Sequence, residues 1–205
     1  MIDATRGGDR PVVSPAVDPF ALSLAFEEGR LEPHTSRIER RASAMEGAYA
    51  DTAALAELVE AAGDPVVYAV EQRDVPEEVG QLVCCTTVIN PGIVGDEYFM
   101  TKGHYHAVRE TGEIYLGLSG KGRVLLQTEE GEARVLPLER ETVAYVPPCW
   151  AHRTVNVGEE PLVFFAVYPG QAGHDYGAIE ASGFSQRVVR TPSGPAVVPV
   201  EAARR

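Results

Sequence analysis

Apolar positions gather in short runs, rich in β-branched and aromatic residues, between residues 66 and 169, and turn sequences such as SGKG, EEGE and GEEP separate the runs. This pattern favours strands over helices. Short strands without long helices between them predict an all-β fold, and we expect an antiparallel jelly-roll barrel. The predicted strands are 66–71, 82–89, 113–119, 123–128, 133–138, 142–147, 153–157 and 162–169.

The segment DTAALAELVEAAG, residues 51–63, has a different period. Its apolar residues recur at i, i+3, i+4 and i+7, which predicts one N-terminal amphipathic helix near residues 51–62. Asp51 is suited to cap the start of this helix, and Gly63 is suited to end it. The apolar stripe consists of Leu55, Leu58, Val59 and Ala62.

The rest of the chain predicts a simple organisation. Residues 1–19 are rich in Pro, Gly, Asp and Ala, and we expect them to form a short flexible, disordered tail. Residues 20–205 are interpreted as a single domain, with the barrel near 65–170 and a C-terminal lid and strands at 170–200. The basic cluster RIERR, residues 37–41, is interpreted as a solvated face.

Acidic residues dominate the charge. The chain has 30 aspartates and glutamates against 18 lysines and arginines, a formal net charge of -12. Nucleic acids and anionic membranes attract basic surfaces, so neither is an expected partner. The chain has no apolar run of about 18 residues and no basic segment followed by an apolar one, so neither a membrane span nor a signal peptide is predicted. Three cysteines are few and odd in number, which fits a reducing compartment, and we expect a cytoplasmic protein.

Two histidines, His104 and His106, stand one residue apart. Alternate residues of an extended strand share a face, so both imidazoles can point into a barrel and bind one ion. With a third imidazole and a carboxylate, the set would suit a divalent transition metal such as Fe, Mn, Ni or Zn. An isolated H-x-H is more often a pair of surface histidines. The metal interpretation therefore depends on His152, which follows a predicted strand and a Pro-Pro turn.

The two histidine segments resemble the paired motifs of the cupin superfamily, H-x-H…E-x6-G and P-x4-H-x3-N. Over residues 20–190 the chain is more specifically similar to the cupin-type glucose-6-phosphate isomerases. The segments that carry this resemblance include MEGAYAD (45–51), TKGHYH (101–106), EIYLGLSGKG (113–122), VPPCWAHRTVN (146–156) and AGHDYG (172–177). The resemblance implies a cupin jelly-roll barrel, a homodimer, and metal-dependent interconversion of glucose 6-phosphate and fructose 6-phosphate, an aldose–ketose isomerisation of glycolysis and gluconeogenesis.

Two glutamates compete for the fourth ligand position. Generic cupin spacing selects Glu110, whereas the spacing of the isomerase family selects Glu113. Gly112 marks a turn, and Glu113 begins an apolar strand in which the sheet would hold its side chain. We therefore assign the ligand to Glu113 and interpret Glu110 as an exposed loop residue.

The resemblance also implies roles for individual residues. One divalent metal per subunit is expected, Fe2+ first, with Mn2+, Ni2+ or Zn2+ as alternatives, and its implied ligands are His104, His106, Glu113 and His152. Glu113 is also the implied general base for a cis-enediol route, with Tyr115 as a hydroxyl-binding residue or proton relay, and a metal-assisted hydride shift is the alternative. Tyr49 is a further candidate for the pocket wall. The sugar phosphate is expected to bind at Thr87, Thr101, Gly103, Tyr168, His174 and Tyr176.

Two departures from the family pattern leave all four ligands in place. Arg140 and Glu141 stand where Pro-Gly is usual, and Cys149 stands where an aromatic residue is usual, at a position that could form part of the pocket wall. Two other enzymes of the same fold remain alternatives: an Fe(II) cupin dioxygenase with the same ligand set, and a mannose-phosphate isomerase. A sugar-binding cupin without activity is disfavoured, because such a protein would tolerate the loss of ligands.

Overall fold

The described residues of the computed structural model, 17–200, form fifteen strands, two α-helices and one 3-10 helix. The helices are α1 (Thr52–Ala61) and α2 (Tyr176–Ser182), and the 3-10 helix is Ala42–Met45. The strands are β1 (Ser23–Ala25), β2 (Arg30–Glu32), β3 (Ser36–Arg41), β4 (Val66–Arg73), β5 (Leu82–Ile89), β6 (Ile93–Val94), β7 (Glu97–Tyr98), β8 (Glu113–Ser119), β9 (Lys121–Gln127), β10 (Ala133–Glu139), β11 (Val143–Val146), β12 (Ala151–Asn156), β13 (Leu162–Pro169), β14 (Gln186–Thr191) and β15 (Gly194–Pro199).

The strand order is that of a jelly roll. A large antiparallel sheet has the order β11-β8-β13-β5-β4-β3, and a smaller one has the order β10-β9-β12. The segment before His106 extends the smaller sheet through isolated bridges from Met100 to Val155 and from His104 to His152. Consecutive strands alternate between the two sheets from β10 to β13, as in other double-sheet jelly rolls. The all-β prediction and its barrel are therefore confirmed.

The hydrophobic core lies between the two sheets. Side chains of β5 and β13 in the large sheet meet those of β9 and β12 in the smaller sheet. Burial of such alternating apolar residues is the main term that favours the closed barrel. Fully or almost fully buried examples are Ile89, Val124, Leu126, Val155, Leu162 and Phe164.

The elements read from periodicity formed where they were predicted. All eight predicted strands are present, and the ends of β5, β8 and β13 agree with the predicted ends. Asp51 caps α1, because its side chain accepts a hydrogen bond from the backbone N–H of Ala54 at 2.8 Å. The predicted N-terminal helix is present as α1, and a second short helix, α2, forms in the glycine-rich segment after β13, where Asp175 caps it through the backbone N–H of Ala178.

Strand β3 was not among the predicted strands, although the interpretation of RIERR as a solvated face holds for every residue of that cluster except the half-buried Arg40. The strand pairs with β4 at the edge of the large sheet, with Ile38 opposite Val70 and Arg40 opposite Tyr68. Because RIERR contains only one apolar residue, it shows no alternation that would predict a strand. The strand forms because this segment pairs with β4 at the edge of the sheet. Its consequence for the site is that one arginine faces the barrel interior.

The first sixteen residues of the predicted tail lie outside the described part of the chain, and residues 17–19 have no regular secondary structure. Between residues 17 and 200, no helix combines the length and the apolar character that crossing a bilayer requires.

Candidate active site

Three histidines and one glutamate converge inside the barrel. The ligating atoms of His104, His106 and His152 all lie within 4.8 Å of one another. The Oε2 atom of Glu113 is 3.4 Å from Nε2 of His106 and 3.1 Å from Nε2 of His152. Glu113 begins β8 in the large sheet and His152 lies on β12 in the smaller one, so closure of the barrel brings them together.

Backbone pairing holds the H-x-H segment against β12. His104 donates its backbone N–H to the carbonyl of His152 at 3.2 Å, and His152 donates to the carbonyl of His104 at 3.0 Å. The segment pairs through isolated bridges and lies outside the eight predicted strands. Residues 101–103, between the two bridges, form no bridge themselves, and they include Gly103. Its φ of 77° belongs to the left-handed region, and a Cβ there would lie 2.6 Å from the Phe184 ring.

Hydrogen bonds to Nδ1 turn the Nε2 atoms toward the shared space. The Thr111 hydroxyl donates to the carbonyl of Val108 at 2.6 Å, so its oxygen accepts from Nδ1 of His106 at 2.8 Å. The carbonyl of Trp150 lies 3.3 Å from Nδ1 of His152. A proton held on Nδ1 leaves the Nε2 lone pair available. The buried Nε2 of His104 has no hydrogen-bond partner among the described residues.

The electrostatics favour a neutral histidine beside an ionised carboxylate. Burial raises the pKa of Glu113, but the imidazoles of His106 and His152 beside its carboxylate outweigh burial and lower that pKa to about 2. Burial, followed by the neighbouring histidines, lowers the pKa of His104 well below its usual value. Burial and the Glu113 charge raise the pKa of Tyr115, whose hydroxyl donates to Oε2 of Glu113 at 3.3 Å.

These residues fit a metal ion. Three imidazoles and one carboxylate are a donor set for first-row divalent metals, and metal binding requires neutral histidine and ionised carboxylate. The buried, unpartnered Nε2 of His104 is a polar atom that such an ion would satisfy. His104, His106 and His152 can therefore hold a metal ion.

A cavity of about 330 Å³ opens beside the donor cluster. Glu113 and Tyr115 form part of its wall. The Thr101 oxygen accepts from the backbone N–H of Thr154 at 3.1 Å, which leaves the hydroxyl proton for a ligand. The structure also brings every residue predicted to bind the sugar phosphate to this wall, namely Thr87, Thr101, Gly103, Tyr168, His174 and Tyr176.

One of those residues is already engaged. The Tyr168 hydroxyl donates to Oε1 of Gln72 at 2.8 Å, so it offers a ligand an acceptor oxygen and not a free proton. Burial raises the pKa of Tyr168, which keeps the hydroxyl protonated. A phosphate group needs donors, so Tyr168 is better placed to contact a sugar hydroxyl.

The segment that carries His174 and Tyr176 lies over the donor cluster. The ring of His174 is 4.5 Å from that of His104 and stacks with Tyr176, their planes 9° apart. Residues 105–108 pair with residues 172–175 through backbone hydrogen bonds. Arg109 adds a side-chain link, because it donates to Asp175 at 2.6 Å and also to the carbonyl of His106. The loop before Glu113 thus anchors the lid.

Sequence reasoning missed several residues that shape the site. Thr111 and Arg109 lie in the loop that was interpreted only as a surface connection, and Arg40 and Tyr68 line the cavity. The alternation of Ile38 and Arg40 could have placed both on one face, had β3 been predicted. The loop assignment itself holds for Glu110, which is exposed.

Tyr49 and the two departures lie away from the cavity wall. Tyr49 borders a neighbouring cavity of about 170 Å³, which meets the first at Lys102, Gly103 and Tyr176. Cys149 is exposed, with a φ of 68°, and its backbone N–H donates to the carbonyl of Arg109, so it forms no part of the pocket wall. Arg140 and Glu141 lie at the turn between β10 and β11, and Glu141 has a φ of 66°.

Comparison with known proteins gives a consistent family. The sequence model described as "Glucose-6-phosphate isomerase (GPI)" matches residues 39–196. The chain is 51% identical over 172 residues to a glucose-6-phosphate isomerase of Pyrococcus horikoshii, covering 84% of this chain and 90% of the relative, and equally so to that of Thermococcus litoralis. A bacterial glucose-6-phosphate isomerase, from Sinorhizobium medicae, is 40% identical over 178 residues, covering 86% of this chain and 83% of the relative.

Solved structures give a weaker match. Oxalate decarboxylase from Bacillus subtilis at pH 4.6 superimposes with a TM-score of 0.41 at 24% sequence identity. The match covers 52% of this chain and 26% of the oxalate decarboxylase chain.

Proposed function

This chain belongs to the glucose-6-phosphate isomerase family, and we propose that its three-histidine, one-glutamate site interconverts glucose 6-phosphate and fructose 6-phosphate. One observation carries the proposal: the Nε2 atoms and the Glu113 carboxylate converge at the wall of a cavity that also contains the hydroxyl groups suited to a sugar phosphate. The chain is therefore an enzyme, an aldose–ketose isomerase.

The reaction moves a proton between neighbouring carbons. In the open-chain aldose a base removes the proton on C2 while O1 gains a proton, which gives a cis-enediol. The O2 hydroxyl then loses its proton as C1 gains one, which gives the ketose. Glu113 is our candidate for this base, because its carboxylate borders the cavity and accepts a hydrogen bond from Tyr115. Tyr115 keeps its proton and can donate a hydrogen bond to an oxygen of the sugar.

The same site is proposed to hold one divalent metal, with His104, His106, His152 and Glu113 as its ligands. Bound there, the metal would supply Lewis acidity that stabilises negative charge on the sugar oxygens. We propose Fe2+ as the native ion. Mn2+, Ni2+ and Zn2+ are proposed as substitutes, because imidazole-rich sites accept each of these ions. The chain's own part is to fix the ligands, and the hydrogen bonds from Nδ1 of His106 to Thr111 and from Nδ1 of His152 to the Trp150 carbonyl support this role.

The test removes and restores the metal. Fructose 6-phosphate conversion is measured after EDTA treatment and again after each of the four ions is added. We expect activity to fall with chelation and to return best with Fe2+. Absence of conversion with every ion would contradict the isomerase proposal, and full activity of demonstrably metal-free protein would contradict metal dependence.

Isotope labelling separates the two routes. In D2O, a route through an enediol incorporates solvent deuterium at C2 of the glucose 6-phosphate product. A hydride shift leaves that carbon unlabelled. We expect incorporation, and product without deuterium would overturn Glu113 as the base.

The homodimer and the cytoplasmic location stay predictions. The outer face of the large sheet supports a dimer, because Ile114, Val143 and Tyr145 are 48%, 64% and 56% exposed there. Tyr145 lies directly opposite Ile114 in the β11–β8 pairing, so these apolar side chains are adjacent. Such a patch suits a self-complementary contact between two copies.

A further inference from the structure

The three arginines of residues 37–41 have different surroundings. Arg37 is paired with Glu71 and with Glu39, and Arg41 lies 3.9 Å from Glu39 and donates to the carbonyl of Asp64 at 2.9 Å. Arg40 has no carboxylate within ion-pair distance among residues 17–200. An arginine that keeps its charge without a partner, in a chain of net charge -12, needs an explanation.

Strand geometry directs Arg40 into the cavity. Alternate residues of β3 share a face, and Ile38 and Arg40 both line the cavity beside the donor cluster. Arg37 and Glu39 lie on the opposite face, where they border a different cavity. Arg40 itself is half-buried. The unpaired guanidinium is therefore on the substrate side of the sheet.

Arg40 meets hydroxyl groups there. It is directly opposite Tyr68 in the β3–β4 pairing, and Tyr68 and Tyr176 both line the same cavity. Burial raises the pKa of each tyrosine, and the positive charge of Arg40 opposes the rise. Protonated hydroxyls and a guanidinium are all donors, so this end of the cavity offers donors to an anion.

The position is remote from the donor cluster. Strands β13, β5 and β4 separate β3 from β8, which carries Glu113. In the open-chain substrate, five carbon–carbon bonds separate C1 from C6, which bears the phosphate. With C1 and C2 at Glu113, the phosphate must lie toward another part of the wall. Thr87, on β5, is opposite Val70, which is opposite Ile38. Thr87 therefore lies two strands from β3 in the row of Ile38, the neighbour of Arg40 on the same face.

The charges around the cavity single out Arg40. Besides Arg40, the lining includes one other lysine or arginine, Lys102, whose Nζ lies 3.9 Å from Glu180. A phosphate monoester carries close to two negative charges at neutral pH, which a strongly acidic protein repels unless a local cation attracts it. A guanidinium can bind two phosphate oxygens at once.

Resting on the isomerase function proposed above, we propose that Arg40 binds the phosphate group of the substrate and sets the preference of the site for phosphorylated over neutral sugars. Hydroxyl and amide donors alone would bind phosphate with little discrimination of charge. Arg40 adds the charge, and β3 holds it at the end of the cavity away from the donor cluster.

The test compares Arg40→Gln with Arg41→Gln in the metal-loaded enzyme. For Arg40→Gln we expect KM for fructose 6-phosphate and the inhibition constants of inorganic phosphate and sorbitol 6-phosphate to rise about 10- to 100-fold, as for loss of a hydrogen-bonded charge. We expect kcat and inhibition by uncharged sorbitol to stay within about twofold. Arg40→Lys should recover part of the loss, and Arg41→Gln should match the wild type.

Other outcomes overturn the proposal. If Arg40→Gln lowers kcat but leaves inhibition by phosphate unchanged, Arg40 only orders the tyrosines. If inhibition by phosphate and inhibition by sorbitol weaken equally in Arg40→Gln, Arg40 supports the shape of the cavity and does not recognise the phosphate charge. Should Arg40→Gln fail to fold, Arg40→Lys takes its place in the test. Wild-type constants for both inorganic phosphate and fructose 6-phosphate in Arg40→Lys would contradict binding by the guanidinium, because lysine cannot bind two phosphate oxygens in the same way. If the wild type converts no sugar phosphate, the proposed isomerase function is refuted. The role of Arg40 can still be tested in that case, by calorimetric comparison of sorbitol 6-phosphate binding to the wild type and to Arg40→Gln.

Discussion

The two ends of the cavity are built in different ways. At the donor end, Glu113 and His152 come from strands inside the two facing sheets and are almost fully buried. At the other end, Arg40 comes from β3, the edge strand of the large sheet, and is half-buried, while the half-buried Tyr176 reaches over the donor cluster from a short helix outside the barrel. Glu113 and His152 are therefore fixed by paired barrel strands, whereas Arg40 and Tyr176 are placed by the last strand of the large sheet and by a helix beyond it.

The largest expected effect is at the donor end. Glu113→Gln keeps the shape of the side chain but removes its charge, so both ligation and proton transfer suffer. We expect kcat/KM for fructose 6-phosphate to fall by about a thousandfold or more. Steady-state kinetics with parallel measurement of bound metal checks this.

Glu110→Gln is the matched control. Glu110 is exposed and only three residues away in the sequence, so activity and metal content should stay at the wild-type level. A loss of activity in Glu110→Gln with a normal Glu113→Gln enzyme would show that the ligand assignment is wrong.

A smaller effect, on metal affinity, is expected at Thr111, which binds a ligand histidine and not the metal. Thr111→Val removes the oxygen that accepts from Nδ1 of His106, so the ring loses the bond that fixes its orientation and its proton. Such supporting bonds change metal affinity by about 10- to 100-fold. We expect that loss in a competition titration with a chelating dye, and near-normal kcat once metal saturates the site.

The control for Thr111→Val is Thr128→Val. The Thr128 hydroxyl oxygen accepts a hydrogen bond from the backbone N–H of Glu132 in an exposed turn, away from the donor cluster. Equal metal affinity in the two variants would mean that the Thr111 bond does not support the ligand.

The sequence predicted the donor end far better than the other end. His104 and His106 share a face through local alternation, and Glu113 begins a strand with a clear apolar pattern, whereas the complete ligand set was implied by the family resemblance. The fold class and the eight barrel strands followed from the same rules. These signals are local, because each depends on neighbours within a few residues.

The substrate end depends on contacts that no local pattern contains. Arg40 lies in a charged segment that forms a strand by pairing with β4, so β3 was not predicted. The link from Arg109 to Asp175 joins residues 66 positions apart, and α2 forms in a glycine-rich segment. His174 and Tyr176 were proposed from resemblance, not from periodicity. Tertiary context decided each of these, which is why propensity alone could not.

The smallest effect is expected where the two ends are tied together. Arg109 lies in the loop between His106 and Glu113, and its partner Asp175 begins the helix that carries Tyr176. Asp175→Asn removes the charge of the pair, while asparagine can still cap α2. Because the pair is partly exposed, we expect KM to rise only about threefold, with metal affinity unchanged.

Salt should reveal the same link. Screening weakens an exposed ion pair, so high salt should raise KM more in the wild type than in Asp175→Asn. Glu132→Gln, which breaks the exposed pair between Glu132 and Arg134, serves as control and should leave KM unchanged. If Asp175→Asn instead lowers metal affinity, the lid helps to hold the donor cluster, and the two ends do not function independently. An unchanged metal affinity with a raised KM in Asp175→Asn would mean that the Arg109–Asp175 pair positions the segment of His174 and Tyr176 without affecting the metal ligands.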